Sequence, residues 1–148
     1  MTLTNGFTVN GAPLLTLVNP NTSQPDQQNL SVAITGQFTH FVQGTTTANF
    51  GAGITLASPL TINSATSATA VLNIDPAAAT GARNVTLTTN AEVATLTNGF
   101  TVTAGTPAVT LLNPNTGQQG QQNLSVAITG QFTNFVQGTT TLLPTGVE

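Results

Sequence analysis

Asn19-Pro20-Asn21-Thr22-Ser-Gln-Pro-Asp-Gln-Gln-Asn-Leu-Ser-Val-Ala-Ile-Thr-Gly-Gln-Phe-Thr-His-Phe-Val-Gln43-Gly44-Thr45-Thr46-Thr47 is a stretch that this chain writes twice. It returns 94 positions later as Asn113-Pro114-Asn115-Thr116 through Gln137-Gly138-Thr139-Thr140-Thr141. Comparing Pro13–Thr47 with Pro107–Thr141, 28 of 35 positions are identical. A second echo joins Thr2-Leu-Thr-Asn-Gly-Phe-Thr-Val9 to Thr95-Leu-Thr-Asn-Gly-Phe-Thr-Val102. A fixed period near 94 residues marks a tandem array. Residues 1–12 read as the last strand of a preceding unit, 13–105 as a complete unit, and 106–148 as the N-terminal part of a following one.

Within the unit the apolar residues recur at a spacing of two, the period of strands. Leu30, Val32 and Ile34 alternate with Ser31, Ala33 and Thr35, and Gly36 ends the run. Ala68, Ala70, Leu72 and Ile74 alternate in the same way, as do Val85, Leu87 and Thr89. Phe38, His40 and Val42 fall on one face of a predicted strand with Phe41 on the other, so a bend near Thr39 is expected. Shorter strands are expected at Pro13–Val18, Ile54–Leu56 and Leu60–Ile62. Asn19-Pro20-Asn21 reads as a turn, and Asn98-Gly99 as a tight turn or a bulge between Leu96 and Phe100. Gly81 follows Pro76 too soon for more than one helical turn. Seven or more short strands with turn signals between them predict an all-β fold, an immunoglobulin-like β-sandwich.

Composition narrows the function. One cation among Lys and Arg (Arg83), four acids and a net charge of −3 leave no basic patch to neutralise phosphates, so nucleic acid is not an expected partner. The polar surface must be Thr, Ser, Asn and Gln, and such low charge favours association. Without cysteine there is no disulfide framework and no thiolate metal site. No run of 18 apolar residues is present, so membrane insertion is not expected. The core must be aliphatic, since the chain has no Trp, no Tyr and seven Phe. Met1 opens on mid-repeat sequence and is expected to mark a cut. Leu143-Pro144-Thr145-Gly146 is similar to a sortase signal but lacks its spacing residue and apolar tail.

The Asn-Pro-Asn-Thr turn, Gln28-Asn-Leu-Ser-Val-Ala-Ile-Thr-Gly36 followed by Phe38, Asn49-Phe50-Gly51, and Gly81-Ala-Arg-Asn-Val-Thr-Leu-Thr-Thr89 leading to Phe100-Thr-Val102 resemble the IPT/TIG-like branch of bacterial Ig-like domains. The resemblance covers the whole unit through short, degenerate elements. It implies spacer or binding modules on surface or secreted proteins, hence an extracellular or cell-surface location. It supplies no catalytic residue. An Ig Cys pair and strand-C Trp are missing.

Candidate chemistry is sparse. Asp26, near Gln24 and Asn29, offers oxygens to Ca²⁺, but one carboxylate makes a weak hard-ion site and its counterpart is Gly120. Asp75 before Pro76 is expected to cap backbone N–H groups in a turn. His40, whose counterpart is Asn134, lacks a nucleophile elbow or a local acid, so no catalytic residue, metal or cofactor is expected. Arg83 is expected to pair with Asp75 or Glu92, and Glu92 to be solvated. Phe38 and Phe41, with Phe50, supply the alternative function, a carbohydrate- or protein-binding adhesin module with an aromatic platform for a glycan, although alternating Phe residues also suit a core.

The incomplete second unit carries the leading expectation. Its first strands, Val109–Leu112, Leu124–Ile128 and Phe132–Val136, lack the strands that should cover them. Leu124, Val126, Ile128, Phe132 and Phe135 would expose an apolar face, while Leu3, Phe7 and Val9 lie on a last strand without a unit of its own. Open edges pair with other chains. The expectation is a structural module that joins copies of itself head to tail into an oligomer or fibre, by strand complementation or by exchange of 107–141 for 13–47. The competing expectation is an arbitrary piece whose ends are disordered or are tethered in a longer protein.

Overall fold

A computed structural model describes residues 11–141, which are all β with no helix among them. The chain divides into two compact units, Met1–Ala104 and Gly105–Glu148. In the first, the strands are β1 (Leu14–Asn19), β2 (Thr22–Ser23), β3 (Leu30–Gln37), β4 (Thr47–Asn49), β5 (Ile54–Leu56), β6 (Thr61–Ser64), β7 (Ser67–Ile74), β8 (Gly81–Thr89) and β9 (Glu92–Val102). One sheet runs β1-β3-β7-β5, with β6 also on β7; the other runs β2-β9-β8-β4. All pairs are antiparallel except β2 with β9.

The two sheets share one core. Val32 and Ile34 of β3 and Ala68, Ala70, Leu72 and Ile74 of β7 bury every second side chain, as their alternation requires. Val85 and Leu87 of β8 and Ala94, Phe100 and Val102 of β9 join them from the other sheet. This is a sandwich-like packing of sheet on sheet. The core is aliphatic apart from Phe41, Phe50 and Phe100, the last two meeting edge to face at 5.8 Å. Three buried threonines are all bonded: Thr46 and Thr89 share a 2.8 Å hydroxyl–hydroxyl bond, and Thr39 donates to the Ala65 carbonyl. No buried side-chain nitrogen or oxygen among the described residues lacks a partner.

Two bulges set which residues face inward. In β1 the register steps between Leu15 and Leu17, so Leu15 and Val18 are buried while Leu14 and Leu17 are exposed. Between β8 and β9, Arg83 faces Phe100 but Val85 faces Leu96. Asn98 lies at φ 52 inside this step, and its N–H donates to the Asn84 side chain. Asn98-Gly99 is therefore a bulge inside one long strand.

Residues 38–43 form a loop, not the strand read from sequence. Phe38 adopts φ 57, which breaks the extended run after Gln37. A built turn then follows, with Thr46 accepting from the Val42 N–H. The Asn19-Pro20 peptide bond is cis.

Candidate interaction surface

The second unit repeats the first hairpin. It pairs β10 (Ala108–Asn113) with β11 (Ala127–Gln131). Ala108 faces Gln131, Val109 faces Gly130, Leu111 faces Thr129 and Leu112 faces Ile128, with a step between Val109 and Leu111. These are the β1–β3 pairs and their bulge, residue for residue. The backbone is copied as well. Asn113-Pro114 is cis, and Asn123, Phe132 and Gly138 have positive φ, as do Asn29, Phe38 and Gly44. Thr140 accepts from the Val136 N–H at the same 2.8 Å found for Thr46 and Val42. The sequence therefore builds this hairpin and its following turn without the rest of a sandwich.

What differs is cover. Val32 is fully buried, whereas its counterpart Val126 is 40% exposed; Phe41 is 4% exposed, whereas Phe135 is 48% exposed. Val109 and Leu112, the counterparts of buried Leu15 and Val18, are about half exposed too. Val109, Val126, Ile128, Phe135 and Val136 line an open groove of ≈ 670 Å³. Leu124 and Val126 also fall outside any strand, although Leu30 and Val32 lie within β3. The cause is the missing neighbour: Leu30–Ala33 are held extended by pairing with β7, and no strand among the described residues does this for residues 124–126. Phe132–Val136 is a loop here, as in the first copy, not a strand. The Phe132 ring lies against Gly105, where a Cβ would collide with it, and takes no part in lining the groove.

The seven substitutions between the copies preserve the face. Leu15 becomes Val109 and Val18 becomes Leu112, which exchanges one methylene between two core positions and keeps the volume. Asp26 becomes Gly120, and both sit at positive φ, 65 and 78. That position asks for a residue that tolerates the left-handed region, which is why Asp alternates with Gly. Leu3, Phe7 and Val9 of the expected assembly interface lie outside the described residues, as do Leu143–Gly146.

Of the other candidate residues, Asp75 is placed as expected and Phe41, Arg83 and Glu92 are not. Phe41 is buried with Phe50 in the core, and only Phe38 shows half its surface, so Phe38 and Phe41 form no open aromatic platform. Arg83 pairs with neither Asp75 nor Glu92. Its guanidinium donates to the carbonyls of Ala52, Gly81 and Ala79, pinning the loop before β8 to the one before β5. Asp75 does cap its turn, accepting from the Ala77 N–H at 2.7 Å. Glu92 is not simply solvated. It accepts from the His40 N–H at 2.9 Å and meets the His40 ring Nδ1 at 2.8 Å. Its side chain is 18% exposed and that of His40 81% exposed. Partial burial pushes the Glu92 carboxyl up, but the His40 backbone bond, ring bond and charge together outweigh it and hold the group below the ordinary glutamate range. Sequence spacing could not find this pair, since 52 residues separate its members.

No group of three or more His, Asp or Glu side chains among the described residues could hold a metal ion. No described helix is long and apolar enough to cross a membrane. No protein-family model, curated protein or solved structure matches the chain.

Proposed function

We propose that this chain is a non-catalytic structural module of an extracellular, Ig-like repeat array, and that its copies join head to tail. One observation carries the reading: an apolar face that is buried in the first copy of the repeat is open in the second, with the same register and nearly the same side chains. Burial of a large apolar side chain is worth about 1.5–3 kcal/mol, so several half-exposed ones on one groove favour a cover. Contiguous apolar patches of this kind mark interaction sites. The low net charge opposes association little. The register that β10 and β11 share with β1 and β3 argues for a surface fitted to Ig-like strands of the same repeat, and the sheet order, with the short β2 running parallel to β9, suits the Ig-like class.

The test is light scattering over a concentration series, with electron microscopy of the same samples. Mass should rise with concentration. Val126→Asp should abolish the rise while leaving the first unit's melting temperature unchanged, because Val126 lies in the second unit. A chain that stays monomeric at all concentrations contradicts the proposal.

A further inference from the structure

We infer that the open groove of the second unit is filled by residues 2–9 of another copy, in the register that β9 uses in the first unit; this rests on the head-to-tail reading above. Thr2–Val9 and Thr95–Val102 are the same eight residues in the same order. The first unit states what those residues do against this hairpin. Phe100 and Val102 are fully buried in the core that they share with Leu15, Val18, Val32 and Ile34. Thr101 lies beside Thr22 and Val102 beside Ser23 in the parallel β2–β9 pair. The Thr101 N–H donates to the Asn21 carbonyl and the Thr103 N–H to the Ser23 carbonyl, both at 2.8 Å.

The second unit carries the matching half. Asn115, Thr116 and Gly117 follow the same cis-proline turn, are exposed, and pair with no strand among the described residues. In the β9 register Thr8 lies beside Thr116 and Val9 beside Gly117. The Thr8 N–H then donates to the Asn115 carbonyl and the Asn10 N–H to the Gly117 carbonyl. Phe7 and Val9 take the places of Phe100 and Val102 and enter the groove over Val109, Val126 and Ile128. Recognition is strand addition: backbone bonds hold the segment, and alternate side chains fill the groove.

Exchange of 107–141 for 13–47 is the weaker arrangement for a simple reason. The body formed by residues 48–102 offers one seat, and either hairpin leaves the other uncovered, so exchange buries no additional apolar surface. Strand addition displaces nothing and covers surface that is otherwise open. Donor and acceptor are different stretches of each chain, so the contact propagates from copy to copy.

The test uses the absence of native cysteine. Full-length chain carrying Thr8→Cys and Thr116→Cys places a thiol on each side of the inferred pair, at the separation of neighbouring strands that a disulfide can span. Mild oxidation should give a ladder of covalently linked copies on a non-reducing gel. Phe7→Ala in the otherwise native chain should raise the concentration for half-assembly roughly ten-fold or more, as loss of an anchoring aromatic does. Assembly without the Thr8–Thr116 linkage overturns this inference and leaves the head-to-tail reading standing. So does a linkage between copies in the Ser67→Cys, Thr129→Cys chain, which reports exchange. A disulfide formed only within monomers overturns the second copy as the source. Monomers throughout the concentration series overturn the head-to-tail reading itself.

Discussion

His40 and Glu92 show how a single residue difference separates two near-identical segments. Glu92 grips both the backbone and the ring of His40, tying the loop after β3 to the start of β9 on the other sheet. The second copy has Asn134 in place of His40 and so carries no imidazole for such a contact. Because Glu92 is held below the ordinary glutamate value of 4.5 in the folded chain, the stability it contributes is fully present above that unfolded value and is lost as pH falls through the lower folded one. Acid titration of the first unit's melting temperature should therefore fall more gently below about pH 4 in Glu92→Gln than in the native chain. Circular dichroism or calorimetry serves for this, since the chain has neither Trp nor Tyr. Parallel acid limbs would show that the pair contributes nothing.

At the scale of elements, one hairpin occurs in two settings, and the difference between the settings is measurable. Ile34 is fully buried between the sheets, while Ile128 lies on the groove of the second unit. Ile34→Ala should cost the first unit about 2–5 kcal/mol. The same change at Ile128 should leave the first unit's unfolding unaltered and weaken assembly instead; equal losses of first-unit stability would contradict this. The strands themselves were legible where alternation was clean, as in β7 and the middle of β3, because a sheet with one buried face enforces a spacing of two. Asn98-Gly99 was legible as a turn or bulge from its residue types, but the β1 bulge was harder to read. Leu15 and Leu17 sit two apart, as a regular strand would have it, yet the extra residue Thr16 turns Val18 inward in place of Leu17. Phe38–Val42 failed as a strand because Phe38 adopts a positive φ, which its residue type does not announce; its ring lies against Gly11. The Arg83 cradle was illegible for a related reason: its three acceptors are backbone carbonyls, which every residue has.

For the whole molecule, the repeat was the most readable feature and also the one that locates the candidate surface. Identity between Pro13–Thr47 and Pro107–Thr141 foretold that one hairpin would be made twice, and the open face of Val126 and Ile128 followed from what the second copy is not paired with. Val109 and Leu112 complete that face, and the loop placement of Phe132 removes it from the groove, details that depend on the β10 bulge and the Gly105 contact. The chain carries its own control for the central claim. Residues 30–42 and 124–136 differ only at His40 and Asn134, so their amides have nearly the same intrinsic exchange rates, and peptides from the two are distinguished by mass. Hydrogen exchange of both segments should be followed over a dilution series. Protection of 124–136 should climb with protein concentration while that of 30–42 stays high and constant; fast exchange of 124–136 at every concentration, or protection that ignores dilution, would contradict cover by another copy.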